Sequence, residues 1–128
     1  MIVDTSAAVA IMLREPHFEE LADRLLEEAD VGMGTPSLAE CGIVLASRPH
    51  PDWRTLIDEF KARFELEDVP FSSHHWVIAV EAYEQFGKGR HPARLNFGDC
   101  LSYAVARVEN RPLLFVGNDF PLTDLWKA

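Results

Sequence analysis

Little in this sequence is suited to cross-linking, to holding metal through sulfur or to crossing a membrane. Two cysteines occur in 128 residues, Cys41 and Cys100, far apart and in no C-x-x-C pair, which disfavours zinc and redox frameworks. They are expected as small, half-buried hydrophobes. The opening MIVDTSAAVAIML has no basic leader and meets Asp4 after three apolar residues. Neither a signal peptide nor a membrane span is expected there, and a cytoplasmic location is the resulting expectation. No internal repeat, low-complexity tract or linker interrupts the chain, so residues 1–128 are expected as one domain. Positive charge is also scarce, with 12 Lys and Arg against 21 Asp and Glu and a formal net charge of -9. That balance excludes a general nucleic-acid coat, whose affinity comes from cations that displace counterions on phosphate. It leaves open a site built from carboxylates, where a bound divalent ion rather than the chain meets the phosphate.

What is present supports a folded core: 48% of residues are hydrophobic and 10% aromatic. Met1-Ile2-Val3 predicts a short buried strand whose carboxyl end carries Asp4. Phe18, Leu21, Leu25 and Ala29 recur at helical spacing over Pro16 to Ala29, with acids on the opposite face. Val31 and Met33 suggest a second strand. Thr35 or Ser37 then serves as cap, with Pro36 in the first turn, for a helix over Leu38 to Ala46. The stretch PHPDW, Pro49 to Trp53, breaks the chain before another amphipathic helix carrying Leu56, Ile57, Phe60 and Phe64. A strand over Leu66 to Phe71 ends at Ser72-Ser73, a good cap for a helix from Trp76 to Phe86 that Gly87 and Gly89 stop. Asp99 to Glu109 reads as the next helix, and Pro112 to Val116 as a last strand closed by Gly117-Asn118-Asp119. This alternation points to an α/β fold with a mostly parallel central sheet flanked by helices, in which sites form beyond the carboxyl ends of the strands.

Two acids fall where that rule expects function, Asp4 after the first strand and Asp119 after the last, and two more are considered with them, Glu40 early in a helix and Asp99 at a helix start. Taken singly each has a plain explanation, Asp99 as a cap or first-turn acid above all. Gathered together they would repel and raise one another's pKa, a cost that a divalent metal removes. Ligands that are all oxygen suit Mg²⁺ or Mn²⁺ rather than zinc. The chemistry expected of such ions is hydrolysis of a phosphate ester. Gly98 is expected to leave room beside Asp99 for metal or phosphate.

IVDTSA at Ile2 to Ala7, the Glu40 of SLAE, GKGRH at Gly87 to His91, LNFGDCLSYAVA at Leu95 to Ala106 and PLLFVGNDFPLTD at Pro112 to Asp124 together carry a resemblance. The chain resembles the PIN-domain family and, more narrowly, the VapC-type toxins of bacterial toxin-antitoxin pairs. The resemblance implies a PIN-like three-layer α/β fold and a metal-dependent endoribonuclease that takes Mg²⁺ or Mn²⁺ and leaves a 5′-phosphate and a 3′-hydroxyl. It also implies an RNA substrate, a cognate VapB-type antitoxin that blocks the site, and a homodimer. Carried over by position, the catalytic and metal-holding set is Asp4, Glu40, Asp99 and Asp119, supported by the hydroxyl of Ser6. Where relatives often carry two acids, this chain has Asn118 before Asp119, which leaves one carboxylate fewer for a second ion.

The segment GKGRHPAR offers Lys88, Arg90, His91 and Arg94 without an acid, and lies just before Asp99. These four are expected to contact RNA phosphates, which positions a strand without reading its bases. His74 and His75 are adjacent, point to different faces and are expected as cap or surface residues. Trp53, Phe60, Phe64, Trp76 and Tyr83 fall at helical spacing, as core or dimer surface. A receiver-type signalling domain is a poorer match, since it wants paired acids after the first strand and a Lys near the last. The remaining alternative is a catalytically silent PIN-like module that binds RNA or protein.

Overall fold

A computed structural model describes residues 1–49 and 52–125. Two residues of the expected PHPDW break, His50 and Pro51, lie outside the described residues. The chain runs β1 (Ile2–Val3), α1 (Thr5–Met12), α2 (Phe18–Leu26), β2 (Gly32–Gly34), α3 (Thr35–Ala46), α4 (Trp53–Phe64), β3 (Glu67–Val69), α5 (Ser73–Phe86), α6 (Phe97–Glu109) and β4 (Leu113–Leu114), with a 3₁₀ turn at Phe120–Leu122. The sheet order is β3-β2-β1-β4, and every pairing is parallel. The register sets Ile2 opposite both Gly32 and Leu113. The first and last strands are therefore neighbours, and the segments that leave their carboxyl ends emerge on one edge.

The strands are short, but their alternation sorts the core into two layers about the sheet. Met1, Val3, Met33 and Leu114 join Ala7, Ala8, Leu25, Cys41, Leu45, Phe60 and Phe64 on the side of α1 to α4. Ile2, Val69 and Leu113 join Ala79, Ala82, Phe86, Tyr103, Ala104 and Val105 on the side of α5 and α6. Sheet between helices gives the expected three layers.

Local chemistry explains where the elements start. The helix α1, which the sequence pattern did not place, begins at the Asp4 cap, whose carboxylate accepts from the Ser6 amide at 3.0 Å. It carries buried Ala7, Ala8, Val9, Ala10 and Ile11 on almost every side, so no amphipathic period announces it. Gly34 rather than Thr35 or Ser37 occupies the N-cap of α3, with Pro36 in its first turn. Ser72 caps α5 as expected, but the helix opens at Ser73, ahead of Trp76. His75 completes that cap: its Nδ1 accepts from the Ser72 amide at 2.9 Å and its Nε2 meets Glu109 at 3.2 Å. It is a cap residue as expected, and a buried one rather than a surface one. Asn96, not Asp99, caps α6. Cys41 and Cys100 are free and fully rather than half buried. Burial pushes their thiols up to about 12 and about 11. Phe60 and Phe64 are core, whereas Trp76 and Tyr83 remain exposed. Among the described residues no helix is long and apolar enough to cross a membrane.

Candidate active site

Asp4 ends β1, where its amide donates to the Leu114 carbonyl at 2.9 Å. Its side chain is 4% exposed, and a carboxylate so placed must be solvated by the protein itself. Two hydroxyls do this. Ser6 donates from Oγ to Asp4 Oδ2 at 2.5 Å, and Ser102 from α6 donates to Oδ1 at 2.5 Å. Each donor is itself held. The Val116 amide, just past β4, donates to Ser6 Oγ at 2.9 Å, and Ser37 lies 3.3 Å from Ser102. Since Ser102 gives its proton to Asp4, Ser37 is the donor of that pair. Residues from β1, α1, α3, α6 and the strand end of β4 thus fix one carboxylate.

Asp99 occupies the third position of α6. Its Oδ2 accepts from the Asn96 amide at 3.0 Å while its own amide donates to Asn96 Oδ1 at 2.9 Å, a reciprocal cap. The carboxyl is pushed up to about 6, first by burial and then by the negative charges of Asp4, Asp119 and Glu40, with the Asn96 amide working in the opposite direction. Glu40 reaches this neighbourhood from α3. Its carboxylate lies directly over Gly98: a Cβ built there collides with Oε2 and comes within 3.0 Å of both Cδ and Oε1. The space expected beside Gly98 for metal or phosphate is therefore filled by Glu40.

Asp4, Glu40 and Asp99 line one open pocket of about 350 Å³, together with Ser6, Asn96, Glu15 and Arg48. Asp119 does not line it, although its charge reaches Asp99. Among the described residues none of these four acids forms an ion pair. Nor do any three Asp, Glu, His or Cys side chains there stand close enough to enclose an ion as placed. The acids share a pocket rather than a closed cage. In kind they fit a hard divalent cation: every donor is oxygen, and an uncompensated negative cluster is what such an ion relieves.

The basic turn lies elsewhere. Lys88, Arg90, His91 and Arg94 are absent from the pocket wall. The Lys88 amide donates to the Leu95 carbonyl, and the Leu95 amide to that of Phe86, both at 2.9 Å, so the segment is pinned as a turn between α5 and α6. Arg90 lies over the Tyr83 ring at 5.4 Å, and His91 meets the Phe86 ring edge-on at 5.1 Å. The residues that sequence reasoning missed are Ser102, Asn96, Glu15 and Arg48. Asn96 alone gave a readable signal, an Asn three positions before an acid at a helix start.

With this geometry in place, comparison with known proteins gives the class. A family profile described as PIN domain matches residues 1–124. The chain is 45% identical over 126 residues to the VapC ribonuclease Mb2004c of Mycobacterium bovis, covering 98% of this chain and 91% of that one. It is 43% identical over 129 residues to the ribonuclease VapC28 of Mycobacterium tuberculosis, covering 100% and 97%. The chain belongs to the PIN-domain family and, within it, to the VapC ribonucleases. Solved structures agree on the fold. The Rickettsia felis VapBC2 structure, bound to a DNA fragment from its promoter, superposes with a TM-score of 0.79 at 18% identity over 99% of this chain and 96% of that one. The Mycobacterium tuberculosis VapC20, a Sarcin-Ricin loop cleaving toxin, superposes with a TM-score of 0.72 at 19% identity over 99% and 97%.

Proposed function

We propose that this chain is the toxin endoribonuclease of a VapBC-type toxin-antitoxin pair, cutting RNA phosphodiester bonds with a divalent ion, Mg²⁺ or Mn²⁺. The observation that carries the reading is the pocket lined by Asp4, Glu40 and Asp99, none of them in an ion pair among the described residues, in a chain of VapC ribonuclease kinship. These three side chains would hold the ion, with Asp119 completing the set from the segment after β4, at the start of the 3₁₀ turn. Bound there, the ion supplies a water of lowered pKa and charge stabilisation at the phosphate.

The chain's own residues do the positioning. Ser6 and Ser102 fix both oxygens of Asp4, so its direction is set before anything binds. The Asn96 amide holds Oδ2 of Asp99, which fixes that carboxylate on the pocket wall. Gly98 gives Glu40 its place beside them. Arriving charge at Asp99 is met by a carboxyl that releases its proton near pH 6. Lys88, Arg90, His91 and Arg94 would meet RNA phosphates only beyond the pocket, and reversing the charge of Arg90 then weakens RNA binding while metal binding stays as it was.

A VapB-type antitoxin covering the pocket, a homodimeric assembly and a cytoplasmic location complete the proposal. The direct test is to incubate the purified chain with RNA and Mg²⁺ or Mn²⁺ and then add chelator. Cleavage that stops on chelation is expected; RNA left intact under every ion would leave the silent binding module in its place.

A further inference from the structure

Arg48 comes after the last turn of α3, beyond the Ser47 cap, and among the described residues is the only basic one on the wall of the acid pocket. It shares that wall with four carboxylates, Asp4, Glu15, Glu40 and Asp99. A guanidinium among carboxylates ordinarily forms a two-pronged pair. Here, among the described residues, no ion pair includes Arg48, and its side chain is exposed. A five-donor fork is thus left open at the mouth of a pocket that otherwise repels phosphate, on a chain of net charge -9. The basic turn at Lys88 to Arg94 does not supply this charge, because none of it reaches the wall.

We propose that Arg48 grips a backbone phosphate of the RNA strand at this mouth and positions the strand over Asp4, Glu40 and Asp99. This rests on the ribonuclease function proposed for the same pocket. A guanidinium has donors only and no lone pair to offer a cation, so Arg48 is a positioning residue rather than a member of the metal-holding set. A position just past a helix C-terminus also suits a cation that meets the last carbonyls; that role alone would show in stability and leave the response of cleavage to salt untouched.

Steady-state cleavage of a short single-stranded RNA at saturating Mg²⁺, across added salt, separates these roles for the parent, Arg48→Ala and Arg48→Lys. For Arg48→Ala, kcat/KM is expected to fall about ten- to a hundredfold, mostly through KM, as for loss of a hydrogen-bonded charge. The slope of log kcat/KM against log salt is expected to flatten by about 0.7, one single-strand phosphate contact. Arg48→Lys is expected to keep the parent slope and recover part of the rate, since the charge remains and the fork is gone. A rate and slope equal to the parent's in Arg48→Ala, or a lowered rate with an unchanged slope, overturns the phosphate contact. A parent chain that cuts no RNA under any divalent ion overturns the ribonuclease function and this inference with it, a result no Arg48 variant can mimic.

Discussion

The carboxylate of Glu40 lies against the bare Cα of Gly98, one residue before Asp99, and any side chain at that position would displace it. This makes Gly98 a test of the site that leaves the fold intact. Alanine within a helix is ordinarily the better residue by up to about 1 kcal/mol, and the atom it strikes is the end of a flexible side chain. Gly98→Ala is expected to keep or raise Tm while metal affinity and cleavage fall about 10- to 100-fold, the usual effect of disturbing what orients a metal ligand. Calorimetric metal titration beside a thermal melt reads both.

Ser102 lies 98 positions from Asp4 in sequence and donates to it inside the protein. Ser102→Ala removes a donor from a carboxylate that is almost wholly buried, at an expected cost of about 1–3 kcal/mol. Urea unfolding at neutral pH measures this. A variant as stable as the parent would mean that Asp4 is not held as described.

Asp99 gives the metal-free protein a pH dependence of definite sign. Its folded carboxyl titrates at about 6, against about 4 for an unperturbed Asp. Between those values the folded chain holds the extra proton, so this group's contribution to stability declines as pH rises from about 4 to about 6 and stays lost above. Asp99→Asn is expected to remove that decline and to be the more stable protein at pH 7 without metal. Denaturant midpoints at several pH values with chelator present check it. Metal binding, which needs the ionised carboxylate, is expected to weaken below about pH 6 in the parent.

Much of this was legible in the sequence, and what was not has physical reasons. Strand and helix succession, Asp4 at the end of β1 and the amphipathic α4 could be read from apolar runs and periods. The helix α1 could not, because Ala7 to Ile11 are buried on nearly every side and leave no polar face to count. Ser102 is a small polar residue inside a helix, a type that usually marks nothing, and its bond to Asp4 exists only once α6 lies beside β1. Arg48 stands just past a helix end, where a cation needs no further reason. The Lys88 to Arg94 segment was visible as a turn, but where a turn lies relative to a pocket depends on how α5 and α6 pack. At Gly98 the property legible in the sequence is the absence of a side chain; Glu40, from another helix, uses the space. The four acids stood out by their places at strand ends and helix starts, and their assignment as one metal-holding set came from a resemblance between motifs, since separation along the chain does not encode distance across a sheet edge.

In the proposed function Asp4, Glu40 and Asp99 act together with a divalent ion to cut RNA. This joint action is tested most directly by measuring the cleavage of one labelled RNA by the parent chain and by Asp99→Asn, with Mn²⁺ and then with excess chelator. Asp99→Asn keeps the shape of the side chain and loses its charge. Cleavage by the parent that chelator abolishes, and none by Asp99→Asn above the chelated parent, is the expected result. Equal rates for the two proteins, or parent cleavage that survives chelation, would contradict it.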